Sequence, residues 1–382
     1  MPEVLIVGAG PVGTFLASEL ARLHVDVTLW DRRPEPGGGT RAIGLHAPVL
    51  AALEAGGATE RILQDAVRVR RGEARSDGRL LGVVRFDRLN RRHPYVATLP
   101  QPQTEAALAV HAPAVRRGVD VTGIRRGPDM VRVQGREADA FLAESASLVV
   151  LAGGAGARPL VYRAGAVPTT AYPDRYLMSD ATLPPRADAQ LAVVHLDEPG
   201  VLESFPLPGG RRRFVAWDSD GGDADPTDDA ARLARLQTAL RRRGEHAGAE
   251  AVTAATAFRV RRVVAPQLRR GRVFAIGDTA HEVSPIGGQG MNLGLLDAAG
   301  LAPLLMRWLR EGAAPEPELA RWERDRVRSA RWAARLAAAN TRLGRPVDAT
   351  THAVRAQVMR AALAVGGPLF AHAYAMGFDA AN

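Results

Sequence analysis

The 382-residue chain contains no cysteine and no lysine, so all 50 of its basic residues are arginines. The absence of cysteine excludes disulfides, thiolate nucleophiles, cysteine-ligated zinc and iron–sulfur clusters. The absence of lysine excludes Schiff-base nucleophiles, such as those of pyridoxal phosphate enzymes, and the P-loop. We also predict no metal site. Catalysis by this chain would therefore depend on other side chains, on backbone groups or on an organic cofactor.

Aromatic residues make up only 5% of the chain, and its apolar runs are shorter than the ~20 residues of a membrane span. The net charge of +9 is a feature that nucleic-acid-binding proteins share, but the arginines occur as scattered pairs rather than as one stripe. The N-terminus lacks the pattern of a secretion signal. We therefore expect a cytoplasmic protein of two or three domains, without a nucleic-acid partner or a membrane span.

A glycine-rich turn follows the first apolar run of the chain. The pattern predicts a strand, a helix and a second strand over Glu3–Val7, Thr14–Leu23 and Val25–Trp30, with Gly8-Ala9-Gly10-Pro11-Val12-Gly13 in the first connection. This is the spacing of a dinucleotide-binding βαβ unit, in which glycines permit a tight turn and a close approach of the pyrophosphate. Asp31 follows the second strand, where it is placed to accept hydrogen bonds from an adenosine ribose. The motif fits both NAD and FAD.

A second glycine-rich segment lies about 270 residues further along the chain. Arg272–Ile276 predicts a strand that ends at Gly277-Asp278-Thr279-Ala280-His281. Pro285 and the run Gly287-Gly288-Gln289-Gly290-Met291-Asn292 follow, and a helix is predicted from Gly290 to Leu309. Glycines before a helix cost backbone entropy, so they indicate a place where the backbone closely contacts a ligand.

This second segment resembles the flavin-binding motif of the p-hydroxybenzoate hydroxylase family, the FAD-dependent aromatic hydroxylases. The family pattern is G-D-x-x-H, a proline, G-G-Q-G-x-N and then D-A, and every element is present here. The resemblance covers roughly residues 1–345. It implies an α/β fold: a Rossmann-like FAD-binding domain (1–75, 97–167 and 258–317), an inserted antiparallel-sheet substrate domain (76–96 and 168–257) and C-terminal helices (318–382).

The resemblance also implies roles for residues that match the family motifs. Asp278 is expected to bond the ribityl hydroxyls of FAD, and Pro285, the one catalytic assignment, to lie near the flavin C4a edge. Arg41 is expected to contact the cofactor, and Gln101, with Gln103 as the alternative, to lie along the flavin. His281 is expected to hold the turn. The full set of expected FAD contacts is Gly8, Gly10, Pro11, Val12, Gly13, Asp31, Arg32, Arg41, Gln101, Gly277, Asp278, Pro285, Gly287, Gly288, Gly290, Met291 and Asn292.

The middle of the chain resembles the sheet that covers the substrate pocket in this family. Antiparallel strands are predicted over Gln190–Leu196, Val201–Phe205 and Arg212–Trp217, and an amphipathic helix over Asp225–Arg243. His46, Tyr95 and Trp217 are the predicted pocket residues. Residues 318–382 are predicted to be mostly helical, with a break at Gly366-Gly367-Pro368.

The resemblance implies an FAD-dependent monooxygenase that hydroxylates an aromatic or polyketide-like small molecule with O2 through a flavin C4a-hydroperoxide, with NAD(P)H as the electron donor. Flavin-dependent halogenases share this fold, but their chemistry relies on a lysine, which this chain lacks.

One motif departs from the family pattern D-G-x-x-S-x-x-R. After the predicted strand Leu148–Leu151, Ala155 and Pro159 occupy the Asp and Ser positions, and Arg163 comes one position late. Three alternatives therefore stay open: electron delivery by a separate flavin reductase, a dehydrogenase or reductase reaction, and a non-catalytic flavin-binding protein.

Overall fold

The computed structural model describes residues 1–37, 42–138, 140–218, 228–377 and 379. Within these residues the chain forms twenty strands and nine α-helices. The strands are β1 (Val4–Val7), β2 (Val27–Asp31), β3 (Gly44–Leu45), β4 (Val67–Val69), β5 (Arg71–Ser76), β6 (Arg79–Arg85), β7 (Val96–Thr98), β8 (Val115–Arg117), β9 (Val119–Arg126), β10 (Val131–Glu137), β11 (Ala140–Ala146), β12 (Leu148–Leu151), β13 (Thr169–Thr182), β14 (Ala192–Asp197), β15 (Gly200–Pro206), β16 (Arg211–Asp218), β17 (Thr256–Val264), β18 (Arg269–Arg270), β19 (Val273–Ala275) and β20 (His281–Glu282). The helices are α1 (Pro11–Arg22), α2 (Ala47–Leu53), α3 (Ala58–Asp65), α4 (Gln101–Leu108), α5 (Asp229–Arg241), α6 (His246–Ala251), α7 (Gly290–Glu311), α8 (Glu316–Leu343) and α9 (Ala349–Tyr374).

A six-stranded sheet with the order β18-β19-β12-β1-β2-β8 forms the first layer, and its central strands are parallel. Alternate residues of β1 face opposite sides, as in any strand. Val4 and Ile6 pack with helices α1 and α7, whereas Leu5 and Val7 pack against β9 and β10 of a separate three-stranded sheet. Because both faces are covered, β1 and β12 are uninterrupted apolar runs, which is why the sequence pattern identified them.

An eight-stranded sheet with the order β20-β17-β13-β16-β15-β14-β5-β6 forms the second layer. Its neighbouring strands are antiparallel, except for the parallel pair β14 and β5. Helices α5 and α6 bury one face of this sheet. The sheet includes β5 and β17, so its strands extend beyond the residues 76–96 and 168–257 expected for a substrate domain. The two layers together confirm the predicted α/β fold, with a largely antiparallel sheet beside the mostly parallel one.

The C-terminal region is helical, as predicted, but the predicted break at Gly366-Gly367-Pro368 is wrong because α9 continues through these residues. A proline inside a helix costs about 3 kcal/mol. Packing on the sheet opposes this cost, since α9 lies so close to β6 that a Cβ atom on Gly82 would be 2.5 Å from Leu363 Cβ. The predicted helix Asp225–Arg243 corresponds to α5. Its positions 225–227 lie outside the described residues, and Asp228 caps α5. Among the helices that the structure describes, none has the length and apolarity needed to cross a bilayer.

Candidate functional site

The glycines of the first turn have different surroundings. The Gly8 N–H donates to the Trp30 carbonyl at 2.7 Å, and its φ of 109° is unfavourable for other residues. A Cβ atom on Gly13 would lie 1.9 Å from the Gly8 carbonyl oxygen, so α1 packs directly against the turn. A Cβ atom on Gly10 would instead meet nothing within 4 Å. Open space therefore lies above the second glycine, where the motif predicts the pyrophosphate.

Asp31 ends β2 beside this turn and is buried. Its Oδ2 accepts from the Ala9 N–H at 2.6 Å, and its Oδ1 accepts from the Arg33 backbone N–H at 2.8 Å. The Arg33 guanidinium also donates to both oxygens, each at 3.1 Å. Burial favours a higher pKa, but the hydrogen bonds from Arg33 and Ala9 outweigh it and hold the Asp31 pKa below its ordinary value. The carboxylate is charged, and a ribose hydroxyl would share it with Arg33.

The second glycine segment packs against the first through Val12. A Cβ atom on Gly294 would lie 2.5 Å from Val12 Cγ2 and 2.9 Å from Gly277 Cα. Gly287 and Gly288 both have positive φ angles, 100° and 66°, so the segment before α7 adopts a conformation that favours glycine. The N-termini of α1 and α7 thus meet, and both helix ends offer N–H groups to an anionic ligand.

Asn292 fixes the position of this segment. Its side-chain amide donates to the carbonyls of Gly44 and Gly288, both at 2.8 Å, and its oxygen accepts from the His46 N–H at 3.0 Å. The side chain is fully buried. Asn292 therefore connects β3 to the glycine segment and positions backbone groups.

A buried charged network supports the Gly277 turn from behind. Asp297 of α7 accepts from the Gly277 N–H at 3.1 Å, contacts His281 Nε2 at 2.6 Å and accepts from Arg326 Nε at 2.8 Å. Arg326 also pairs with Asp379 at 2.7 Å. Burial would raise the pKa of Asp297, but His281 and Arg326 hold it at about 2. His281 thus holds the turn, as expected from the sequence.

The middle segment contributes a different arginine from the one that the sequence suggested. Arg158, in the 3-10 helix Gly154–Leu160, donates to the carbonyl of Asp278 at 2.7 Å and to that of Thr279 at 3.2 Å. Arg163 is exposed. The departure at Ala155 and Pro159 therefore accompanies an arginine that binds the backbone of the second motif.

One cavity of about 670 Å³ extends from the two glycine segments to the eight-stranded sheet. The predicted residues that line it are Gly8, Gly10, Pro11, Val12, Asp31, Arg32, His46, Gln101, Gly277, Asp278, Pro285, Gly287, Gly288, Gly290 and Met291. Gln103, the alternative to Gln101, is exposed and is not among the lining residues.

Several predicted site residues lie elsewhere. Gly13 and Asn292 pack behind the cavity wall rather than in it. Tyr95 is in the core with its hydroxyl 3.1 Å from His93 Nδ1, and Trp217 donates its indole N–H to Asp174 at 3.3 Å. Neither aromatic ring lines the cavity, because each is held by its own buried neighbours. Arg41 lies outside the described residues.

The far end of the cavity is an apolar chamber that the sequence did not identify. Strands β13–β17 and helices α8 and α9 supply its wall, and only folding brings these elements together. Its lining residues include Met178, Val194, Leu196, Val201, Glu203, Phe205, Arg213, Val215, Phe258, Asn340, Leu343, Met359, Leu363, Phe370 and Tyr374. One signal was available: Glu203 is a lone acid at an inward-facing position of the predicted strand Val201–Phe205.

Two titratable side chains of the cavity have strongly changed pKa values. Burial raises the pKa of the Glu203 carboxyl to about 8. Burial also lowers the pKa of His46 to about 4, against a smaller opposing effect of the Gly288 carbonyl. Neither His46 ring nitrogen makes a well-formed hydrogen bond with a described residue. Both groups are therefore mostly uncharged at neutral pH.

Comparisons with known proteins agree with this geometry. A family model described as FAD binding domain matches residues 1–337. A 6-methylpretetramide 4-monooxygenase of Streptomyces rimosus is 32% identical over 85% of this chain and 59% of the relative. A rifampicin monooxygenase of Rhodococcus hoagii is 31% identical over 85% of this chain and 68% of the relative. The chain thus spans about three fifths to two thirds of the length of these relatives.

Solved structures show the same fold. The p-nitrophenol 4-monooxygenase PnpA of Pseudomonas putida aligns with a TM-score of 0.86 at 23% identity, covering 100% of this chain and 98% of that one. The anhydrotetracycline hydroxylase OxyS of Streptomyces rimosus aligns with a TM-score of 0.75 at 26% identity, covering 99% and 76%. Together with the two glycine segments and the cavity between them, the match over residues 1–337 shows that the chain belongs to the FAD binding domain family, the flavoprotein family that its motifs predicted.

Proposed function

We propose that this protein is an FAD-dependent monooxygenase that hydroxylates an aromatic or polyketide-like small molecule with O2, taking electrons from NAD(P)H. The observation that carries the proposal is one continuous cavity, which joins the dinucleotide groove to an apolar chamber. A dinucleotide in the groove would place its redox-active end beside Pro285 and Gly287, next to that chamber. The names of two curated relatives, a 6-methylpretetramide 4-monooxygenase and a rifampicin monooxygenase, support the same substrate class.

The residues present fit FAD. Open space over Gly10 accommodates a pyrophosphate, and Asp31 offers a charged carboxylate for the ribose. Asp278 lies exposed in the wall between the two motifs, where the ribityl chain is expected. The N–H groups at the start of α7, from Gly290 and Met291, are suited to stabilise negative charge at the flavin pyrimidine edge.

Bound FAD would supply the activation of O2 and the oxygen transfer. The protein would orient the substrate and exclude water, since valine, leucine, methionine and phenylalanine side chains form most of the chamber wall. We assign no general base to the reaction from the motifs, and Pro285 remains a proposed neighbour of the flavin edge.

For the source of electrons, a second candidate is favoured by the altered middle motif. Ala155 and Pro159 replace the polar residues of the family's middle motif, and Arg158 is bound to backbone carbonyls of the second motif. Delivery by a separate flavin reductase is therefore the alternative to direct reduction by NAD(P)H. A dehydrogenase or reductase reaction is the alternative for the chemistry.

The test begins with the visible spectrum of the purified protein after incubation with FAD. We expect a bound flavin that is bleached anaerobically by NADPH or NADH in the presence of a phenolic ligand, and a product that incorporates oxygen from isotopically labelled O2. A protein that binds no FAD contradicts the proposal. A bound flavin that neither nucleotide bleaches alone, but that is bleached once a flavin reductase is added, favours electron delivery by a separate reductase. A product without labelled oxygen favours the dehydrogenase reaction.

A further inference from the structure

Glu203 is a buried acid in the middle of the apolar chamber wall. It lies on β15 between Val201 and Phe205, which face the same cavity, and it pairs in register with Val194 of β14 and Val215 of β16. The residue is 6% exposed. Burial alone accounts for its raised pKa of about 8, and no described residue gives its carboxyl a hydrogen bond. A buried polar group without a partner is costly, so this carboxyl is available to a ligand.

Two further polar side chains lie at the same end of the cavity. The Tyr374 hydroxyl of α9 donates to Asn340 Oδ1 of α8 at 2.8 Å. The Asn340 amide nitrogen lies 3.2 Å from the position of a Cβ atom on Gly287, in the second glycine segment. Burial, and then the nearby charge of Glu203, raise the pKa of Tyr374 to about 12. These contacts place Glu203 near a chain of hydrogen-bonding groups that leads to the expected flavin site.

The charged and titratable groups around Glu203 provide no cation to pair with it among the described residues. Arg213, two positions before Val215 on β16, faces the same cavity, but its guanidinium binds Asp180 at 2.7 and 2.8 Å. Tyr176 of β13 is buried, and burial together with the charges of Asp174 and Glu203 raises its pKa. His46, on the glycine-segment side, is uncharged at neutral pH. An added negative charge would therefore be unfavourable in this chamber.

We propose that Glu203 determines substrate specificity: its carboxyl binds the hydroxyl group of an uncharged phenolic ring, and it disfavours aromatic ligands that carry a carboxylate. The protonated carboxyl can donate to the phenol oxygen and the carboxylate can accept from the phenol O–H, so either form makes one hydrogen bond. Above the pKa of Glu203, where its carboxyl is charged, a carboxylate ligand would bring a second anion against it in an apolar site. This inference rests on the proposed function, because it assumes that the chamber holds the substrate.

The test measures binding rather than turnover, with 2-naphthol and 2-naphthoate as matched bicyclic probes. Each is titrated into the FAD-loaded protein at pH 9, above the pKa of Glu203, and followed by the change in flavin absorbance. We expect 2-naphthol to bind at least about tenfold more tightly than 2-naphthoate, the equivalent of one net hydrogen bond and one avoided repulsion. In Glu203→Leu the ratio should fall to within about threefold, because the hydrogen bond and the charge are both lost.

Two variants make the result specific. Glu203→Gln keeps the shape and the hydrogen bond but removes the acid, so 2-naphthol affinity should remain within about threefold while 2-naphthoate binds more tightly. Glu198→Gln, on the exposed turn between β14 and β15, should match the wild type. Circular dichroism verifies folding of each variant. A wild-type preference for 2-naphthoate, an unchanged ratio in Glu203→Leu and Glu203→Gln, or binding of neither probe overturns the inference.

The outcomes separate the inference from the proposed function. Discrimination that depends on Glu203, in a protein that hydroxylates no phenol, would refute the monooxygenase proposal and leave the binding role of Glu203 intact. Hydroxylation of a phenol by a protein whose ligand-affinity ratio does not change in the Glu203 variants would support the monooxygenase proposal and refute the binding role of Glu203.

Discussion

Two glycines of the first turn should respond in opposite ways to the same added methyl group. Gly10 has an extended backbone, with φ of −80°, and a Cβ atom there meets nothing within 4 Å. Gly10→Ala should therefore change the free energy of unfolding by less than about 1 kcal/mol. In Gly13→Ala the new Cβ would lie 1.9 Å from the Gly8 carbonyl oxygen, so α1 must move by about 1 Å to relieve the contact. Such overpacking costs about 1–3 kcal/mol.

The assay has two parts, denaturant unfolding of the FAD-free protein and titration with FAD by flavin fluorescence. We expect Gly10→Ala to unfold like the wild type but to lose at least about tenfold in FAD affinity, since the methyl group occupies the pyrophosphate position. Gly13→Ala should unfold at lower denaturant even without FAD. Gly123→Ala is the control, because its Cβ would make only an ordinary 3.5 Å contact with Gln134 in β10. Wild-type FAD affinity in Gly10→Ala would refute the placement of the pyrophosphate.

Three further substitutions test the buried titratable side chains by denaturant unfolding. Asp297→Asn removes one of the two carboxylate partners of Arg326 in a buried network and should cost about 3–5 kcal/mol; a loss below about 1 kcal/mol contradicts this reasoning. Because the pKa of Glu203 rises from 4.5 to about 8 on folding, its stabilising effect is complete below pH 4.5 and is lost as pH rises through 8. Glu203→Gln should remove this loss of stability at high pH, which amounts to up to about 5 kcal/mol. Parallel curves of unfolding free energy against pH for the variant and the wild type would contradict the raised pKa of Glu203. The pKa of His46 falls from 6.5 to about 4, so its contribution is present above pH 6.5 and lost as pH falls through 4. His46→Gln should reduce the loss of unfolding free energy at acid pH by up to about 3 kcal/mol. An unchanged loss of stability at acid pH would contradict a buried, uncharged His46 ring.

The two glycine segments could be predicted from the sequence because their constraint is local. A turn that packs a helix onto a strand, as Gly13 does, tolerates no side chain, and the positive φ angles of Gly287 and Gly288 favour glycine. Strands β1 and β12 were equally clear, since both their faces are buried and every residue is apolar. The residues of the second glycine segment carried the resemblance to the family, which the match over residues 1–337 confirms.

The apolar chamber could not be predicted because its polar groups come from distant elements. Glu203, Asn340 and Tyr374 lie on a strand and two helices, and the antiparallel sheet and the path of α9 bring them together. Tyr95 and Trp217 were wrongly placed in the pocket because aromatic rings are buried in cores as readily as in binding sites. Sequence spacing does not distinguish these two kinds of burial.

Helix α9 supplies one wall of the chamber with side chains from a single face. Met359, Leu363, Phe370 and Tyr374 follow the spacing of one helical stripe, and all four line the cavity. The cofactor segments are on other elements, α1 and α7. Evolution, or a library randomised at these four codons, can therefore alter the shape offered to a substrate without changing the residues that would hold the flavin.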